Sequence, residues 1–244
     1  SPDGEWVAFS AAGEIFTVPV TGGPALPVGA GGSPHWGVGD VIVYQLGDAL
    51  HQVDASGSNP RALLEPDSFR VVRPHLLPNG RGVVFGTASS ADESRIAILD
   101  LETEEVRVIV PAGNHPRYVE TGHLVYGHGD QALMAVPFDL ESMEVTGTPV
   151  TLLPELTVYS GGASQFAVSS NGTLVYSRSP DGGEGRSSSR LVEVGLDGSR
   201  APLPLAPTDF ELPRYSPDGR RIAYQDEEAV RVFDVVSGNN PVFS

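Results

Sequence analysis

Four short segments of this chain place a basic side chain directly after a proline. They are Pro34-His35, Pro74-His75, Pro116-Arg117 and Pro213-Arg214. A guanidinium group binds a carboxylate through two parallel hydrogen bonds, and an imidazole can add a further donor. If the fold brings His35, His75, Arg117 and Arg214 together, they form a candidate site for an anionic small ligand or a carboxylate-bearing peptide.

The same four side chains have a second interpretation. The chain has 31 Asp and Glu residues against 15 basic ones. Each basic group could therefore pair with a carboxylate of a neighbouring structural unit and serve only as a tie within the fold. The sequence leaves both interpretations open. They differ in the expected effect of Arg117→Ala and Arg214→Ala, which should weaken ligand binding in the first interpretation and destabilise the fold in the second.

Other kinds of chemistry find little support in the sequence. A serine hydrolase elbow reads Gly-x-Ser-x-Gly, and the nearest segment, Gly162-Ala163-Ser164-Gln165-Phe166, lacks the second glycine. His123 and His128 are the only close pair among the six histidines, and their spacing of five puts them on opposite faces of a strand. The absence of cysteine and lysine excludes thiolate zinc sites and lysine-ended phosphate loops. We predict no catalytic residue, no metal site and no cofactor.

Composition narrows the classes of partner. A formal net charge of -16 would repel a phosphate backbone, so nucleic acid is an unsuitable partner. No apolar run approaches the roughly 18 residues that a membrane span needs, and we expect no membrane insertion by this segment. The 244 residues, with 29 Gly and 21 Pro, suit a turn-rich all-β domain. We expect a monomer that binds a protein, a peptide or a small anion.

The elements that must position the basic residues follow a repeat. Its anchor is a tight turn, Ser1-Pro2-Asp3-Gly4 in the first copy and Ser216-Pro217-Asp218-Gly219 in the last, before an apolar strand that ends in an aromatic. Proline presets φ at such a turn, and glycine accepts a positive φ. The six turn glycines are Gly4, Gly39, Gly80, Gly122, Gly172 and Gly219. Their spacing of 35 to 50 residues is the size of one propeller blade.

A second alternating strand and a second turn follow each anchor, so each unit is an antiparallel meander. One meander cannot bury both of its faces, whereas six can close a ring. The sequence therefore predicts an all-β fold, a six-bladed β-propeller of four-stranded antiparallel blades, as a single domain over 1–244 without significant helix. The expected blades are approximately 1–33, 34–73, 74–115, 116–163, 164–212 and 213–244.

Three segments depart from the regular repeat. The first copy starts at its turn and lacks the Pro-x segment, so its blade is expected to be short of an inner strand. Residues 239–244 are expected to form the outer strand of blade six, which must share a seam with blade one because an open ring leaves unpaired edges. The Gly- and Ser-rich stretch 180–189 predicts a mobile hairpin insertion, and 155–164 lengthens the fourth repeat.

The Ser-Pro-Asp-Gly anchor before an apolar-aromatic strand resembles the TolB-type family of propeller repeats over essentially the whole chain. Pro74-His75-Leu76-Leu77-Pro78-Asn79-Gly80 is similar to segments of the propellers C-terminal to bacterial serine/threonine protein kinases. This resemblance implies a non-catalytic binding or sensing scaffold, extracytoplasmic or periplasmic, within a larger bacterial protein. Two alternatives remain: the gating propeller of a prolyl-oligopeptidase-type peptidase whose catalytic domain is outside this chain, and a free periplasmic TolB-like scaffold.

The resemblance also implies where the Pro-x segments lie. In TolB-type blades the segment ahead of the anchor is the innermost strand, whose side chains line the central channel. His35, His75, Arg117 and Arg214 would then put positive charge at one mouth of an otherwise acidic body. Blade five is the exception, because Phe166-Ala167 replaces the Pro-x pair.

Overall fold

The fold is all-β, as the sequence predicts. The computed structural model describes residues 1–89, 94–129, 132–154, 158–159, 163–169, 172–178, 189–195, 199–208, 210–226 and 229–243. Six antiparallel sheets form the six blades of a propeller. Within the described residues the only helical element is a single 3-10 turn, Val38–Asp40, and no helix is long and apolar enough to cross a bilayer.

The first three blades contain eleven strands, each named here by its bounds. Blade one has β1 (Trp6–Ala11), β2 (Glu14–Pro19) and β3 (Leu26–Ala30). Blade two has β4 (Gly32–Trp36), β5 (Val41–Leu46), β6 (Ala49–Asp54) and β7 (Arg61–Leu64). Blade three has β8 (Arg70–Leu76), β9 (Gly82–Ala88), β10 (Arg95–Asp100) and β11 (Val106–Val110).

The last three blades are less uniform. Blade four has β12 (Asn114–Val119), β13 (His123–His128), β14 (Ala132–Asp139), β15 (Glu144–Val145) and β16 (Val150–Leu153). A separate two-stranded sheet joins β17 (Val158–Tyr159) to β18 (Ala163–Ser164). Blade five has β19 (Phe166–Val168), β20 (Leu174–Arg178), β21 (Arg190–Val194) and β22 (Arg200–Pro202). Blade six has β23 (Glu211–Tyr215), β24 (Arg221–Gln225), β25 (Val230–Asp234) and β26 (Val242–Phe243).

Two departures from four strands bear on the sequence predictions. Blade one has three strands in the described chain, because no inner strand pairs with β1, as its missing Pro-x segment predicts. Blade four carries the additional short strand β15, which pairs with the end of β14. Strand β26 pairs with β25 in the outer position of blade six, which confirms the expected placement for the described part of 239–244.

The apolar core lies between blades. Each buried cluster joins two neighbours in the ring; one of the largest packs Leu77, Val84 and Ile98 of blade three against Leu124 and Tyr126 of blade four. The alternation of each meander makes this possible, since one face of a blade packs on the blade before and the other on the blade after. The thinnest cluster is the seam of blades one and six, where Val18 and Val232 are the buried members.

The anchor turn owes its sequence to a compact hydrogen-bond set, seen most fully in blade six. The Ser216 Oγ donates to Asp218 Oδ1 at 2.6 Å and accepts from the Arg221 backbone N–H at 3.0 Å. The Gly219 N–H donates to the Ser216 carbonyl at 2.9 Å, with φ of +68° at the glycine. The same bonds recur at Ser1 in blade one. Each turn thus fixes where the anchor strand begins.

Two of the predicted insertions fall largely outside the described part of the chain. The stretch 180–189 is described only at Ser189, whose backbone bridges Thr208. Of 155–164, only the β17–β18 pair is described.

Candidate functional site

Four of the inner strands share an uncommon backbone feature. The residue before the proline has a positive φ in each, between +49° and +51°, at Ser33, Arg73, His115 and Leu212. The ladder to the next strand shifts register at the same place in all four blades. A bulge of this kind re-aims a side chain. The residues on both sides of the proline can therefore line the channel, as Arg73 and His75 do.

These bulges bring six basic side chains together around the channel. We call them the basic cluster: His35, Arg73, His75, His115, Arg117 and Arg214. The rings of His35 and His75 lie 4.0 Å apart between centroids. Arg214 of blade six reaches His115 of blade four at 3.2 Å between Nη2 and Nε2. All four residues predicted from the sequence thus belong to one cluster.

Inner-strand hydrogen bonds hold the cluster in place. The Leu76 N–H donates to His35 Nδ1 at 3.1 Å, and the Leu212 N–H donates to Gln165 Oε1 at 2.6 Å. Each of these bonds joins one blade to the next. Arg117 donates to the carbonyl of Pro116 at 2.8 Å, with a longer contact of 3.5 Å to the carbonyl of Arg73 in the preceding blade.

His115 is held in one tautomer by its two neighbours. The Arg214 guanidinium can only donate, so His115 Nε2 accepts. The proton then lies on Nδ1, which donates to the Ser164 carbonyl at 2.7 Å. A neutral imidazole can therefore lie against a guanidinium. The His115 side chain connects blade four with strand β18 and with blade six.

Among the described residues, few carboxylates lie near the basic cluster. Arg117 and Arg214 donate to backbone carbonyls and to His115, and no ion pair involves them among the described residues. Burial lowers the pKa of Arg73, and the charge of Glu211 only partly offsets this shift; the two residues form no ion pair in the described chain. The described ion pairs lie elsewhere, such as Arg81 with Glu102 at 3.8 Å. Within the described residues, the pairing with acidic neighbours that the second interpretation requires is not seen at these arginines.

The electrostatics of the cluster follow from burial and mutual repulsion. Burial, together with the charge of Arg73, lowers the pKa of Arg214 to about 9. Burial and the charges of Arg214 and Arg73 lower the pKa of Arg117 well below its usual value. Guanidinium groups stay protonated at neutral pH, so these shifts indicate poorly compensated positive charge. Burial, with the nearby arginines, also holds the pKa of His35, His75 and His115 well below 6.5.

A cavity of about 470 Å³ opens onto the cluster. Four arginines line it, Arg221 being the fourth, and Glu120 is the single carboxylate among its described lining residues. Its other walls are the apolar side of β1 and the facing strands of blade six. The Nδ1 atom of His75 is buried here and has no hydrogen-bond partner among the described residues. A buried polar atom of this kind calls for a water or a ligand group beside it.

Sequence reasoning missed two members of the cluster, Arg73 and His115. Both precede the proline of a Pro-x pair, and the sequence prediction considered only the residue after it. The period of two along a strand was the available signal, because residues on either side of the proline share a face. The positive φ was not foreseeable, since a residue before proline usually favours extended backbone.

The sequence also offered two weaker candidates, the serine segment around Ser164 and a histidine pair. Neither shows a catalytic geometry within the described residues. Ser164 is fully buried, and its Oγ donates to Asn114 Oδ1 at 2.8 Å. Its contact with His115 runs through its backbone carbonyl instead. Within the described chain no three His, Asp or Glu side chains come close enough to hold a metal ion; Asp130, beside His128, falls outside it.

Comparison with known proteins shows likeness at the level of structure. The sequence matches no protein-family model and no curated protein. The structure of TolB from Acinetobacter baumannii superposes with a TM-score of 0.76 at 17% identity, covering 98% of this chain and 63% of that one. A putative TolB from Agrobacterium tumefaciens gives 0.67 at 16% identity, covering 89% of this chain and 83% of that one.

Enzyme domains share the same architecture. A puromycin-hydrolysing peptidase from Mycobacterium tuberculosis superposes with a TM-score of 0.62 at 13% identity, covering all of this chain and 53% of the peptidase. This chain therefore spans less than two thirds of the Acinetobacter TolB and about half of the peptidase. At these identities the likeness concerns the fold alone, and that fold is a TolB-like six-bladed β-propeller.

Proposed function

We propose that this propeller is a non-catalytic binding scaffold whose basic cluster holds a carboxylate or a similar anion in the central channel. One observation carries the proposal. Arg117 and Arg214 line a cavity in which Glu120 is the only carboxylate among the described lining residues, although the chain as a whole has a formal net charge of -16.

Physical chemistry favours an anionic occupant there. A charge removed from water without a partner is costly, and a carboxylate placed beside it recovers that cost. Hydrogen bonds to fixed carbonyls preorganise Arg117 and Arg214, so a ligand would not have to order them. The neutral imidazoles of His35 and His75 can supply a donor without adding repulsion.

The kind of larger protein to which the scaffold belongs is a separate part of the proposal. Its resemblance to TolB-type and kinase-linked propellers supports an extracytoplasmic sensing or protein-binding module within a larger bacterial protein. The peptidase likeness, which covers about half of that enzyme, supports a second candidate, the gating propeller of a serine peptidase. Both assign ligand recognition to the channel and the chemistry to another domain.

The binding proposal can be tested by calorimetric titration with citrate, a small tricarboxylate. We expect wild-type protein to bind it, and Arg117→Gln and Arg214→Gln each to weaken binding by about tenfold or more, since a hydrogen bond to a charged group contributes roughly 1.5–3 kcal/mol. The matched control is Arg200→Gln, an exposed arginine of β22, which should bind like wild type. No binding by wild type, or equal binding by all three variants, would contradict the proposal.

A further inference from the structure

The three imidazoles of the basic cluster differ in how their ring nitrogens are used. In His115, Nδ1 donates to the Ser164 carbonyl and Nε2 accepts from Arg214. In His35, Nδ1 accepts from the Leu76 N–H at 3.1 Å. A neutral imidazole has one accepting nitrogen. A second proton on either of these rings would therefore remove an acceptor that another group already uses.

His75 is the exception among the three. Its Nδ1 is buried and has no hydrogen-bond partner among the described residues, and its side chain is part of the cavity wall. The ring can therefore take up a proton without displacing a donor from Nδ1. The added positive charge would then lie beside an occupant of the cavity.

Positive charge faces His75 from three neighbouring strands. His35 lies on β4, Arg117 on β12 and Arg214 on β23. Burial, and then the charges of these three side chains, hold the pKa of His75 well below its usual value of 6.5. Arg73, on the same strand β8 as His75, is a further cation of the cavity wall. These groups favour the neutral form of His75.

An anion in the cavity would change this balance. Two described carboxylates act near the cluster: Glu120 lies in the cavity wall, and the charge of Glu211 acts on Arg73. A dianion would add two negative charges beside the guanidinium groups. An opposite charge within about 4–6 Å favours the charged form of a titratable group, so the dianion would stabilise an imidazolium at His75. Anion binding and proton uptake are then linked, and each strengthens the other.

The pairing of His75 with His35 limits the uptake to one proton. The centroids of the two rings lie 4.0 Å apart, and two imidazolium groups at this separation would repel each other. His35 also uses its Nδ1 as the acceptor for the Leu76 N–H. His75 is therefore the ring of the pair that can take the proton.

We propose that the basic cluster binds a small doubly charged anion together with one proton, which His75 takes from the solvent. Arg117 and Arg214 supply permanent positive charge, whereas His75 supplies a charge that depends on the bound anion. The affinity of the site for such an anion should then rise as the pH falls. This inference rests on the proposed function, because it specifies the charge of the ligand and the proton that accompanies it.

The test is calorimetric titration with oxalate, a dicarboxylate whose two carboxylates both stay ionised between pH 7.5 and pH 5.5. For wild-type protein we expect at least about tenfold tighter binding at pH 5.5 than at pH 7.5, because uptake of one proton changes the affinity by up to tenfold per pH unit. In His75→Gln the ratio of the two affinities should fall to near one. The matched control His51→Gln, at a histidine of β6 outside the basic cluster, should keep the wild-type ratio.

Proton uptake can also be measured without a variant. Titrations of wild-type protein at pH 6.5, in two buffers with different enthalpies of ionisation, give the number of protons bound with oxalate. We expect a net uptake that approaches one proton per oxalate. If His75→Gln fails to fold, nitrogen NMR of the histidine rings replaces it, because oxalate should convert one imidazole of the wild-type protein to an imidazolium.

Two outcomes would overturn the inference. One is oxalate binding that depends on Arg117 and Arg214 but takes up no proton and has the same affinity at both pH values. The other is a pH dependence that persists unchanged in His75→Gln, which would assign the proton to Glu120 or Glu211. Failure of both citrate and oxalate to bind at any pH would instead overturn the proposed function.

Discussion

At the scale of single residues, the basic cluster combines arginines that are protonated with histidines that are neutral. Arg117 and Arg214 remain protonated, whereas His35, His75 and His115 are held neutral by burial and by those arginines. Sequence types alone could not separate these roles, because a histidine in contact with a carboxylate would have been charged instead. The Pro-x pattern did indicate that basic residues would lie close together. Which of them are protonated depends on their tertiary contacts.

The neutral histidines predict how stability depends on pH. Their folded-state pKa values lie below 6.5, so below that pH the unfolded chain binds more protons than the folded one. The free energy of unfolding should therefore fall as the pH drops from 7 to 5, by up to about 1.4 kcal/mol per pH unit for each such histidine. Urea unfolding at a series of pH values measures this slope.

A variant can distinguish the contribution of the histidines to this pH dependence from that of the carboxylates. Asp100 and Asp218 accept hydrogen bonds that lower their pKa below 3.8, so their contribution is lost only under more acidic conditions. His75→Leu removes one titrating group, and its unpaired Nδ1, and should flatten the slope between pH 7 and 5. Stability that stays constant across this range, or a slope unchanged in His75→Leu, would refute the neutral assignment.

At the scale of the element, the bulged inner strand does the positioning. A left-handed residue before proline costs free energy, roughly 1–2 kcal/mol for a side chain with Cβ, yet four blades adopt it. The repeat of Pro-x pairs could be read from the sequence, and with the TolB-type resemblance it indicated the inner strands. The bulge could not be predicted from the sequence, since it depends on the ladder to the next strand and on contacts with neighbouring blades.

Ser33 tests whether this backbone geometry is required. Its φ is +51°, so Ser33→Val, a β-branched residue in the left-handed region, should lower the free energy of unfolding by about 1–2 kcal/mol. Ser33→Gly should stay within about 1 kcal/mol of wild type. Ser10→Val, in strand β1 and outside the residues with a positive φ, is the matched control and should be near neutral. Chemical denaturation of the three variants measures these changes in the free energy of unfolding. An equal effect of valine at both positions would contradict the requirement for this backbone geometry.

At the scale of the molecule, the six-blade count followed from the turn and aromatic repeat, even though four of the six anchors are degenerate. The outer position of β26 followed from the turn ahead of it. The seam was foreseen, and Arg221 Nη1 donates across it to the Gly4 carbonyl at 3.1 Å. The scarcity of acidic side chains around Arg117 and Arg214, among the described residues, could not be predicted from the sequence. It depends on where the 31 carboxylates of the sequence fall in three dimensions.

The most direct measurement of the central claim locates an anion in the channel. Crystals of the wild-type protein soaked in sodium bromide give anomalous density wherever a monovalent anion binds. The account predicts a bromide peak in hydrogen-bond contact with Arg117 or Arg214, inside the cavity, that disappears in Arg214→Gln crystals under the same soak. Bromide at exposed arginines such as Arg200, with no density beside Arg117 and Arg214, would contradict it.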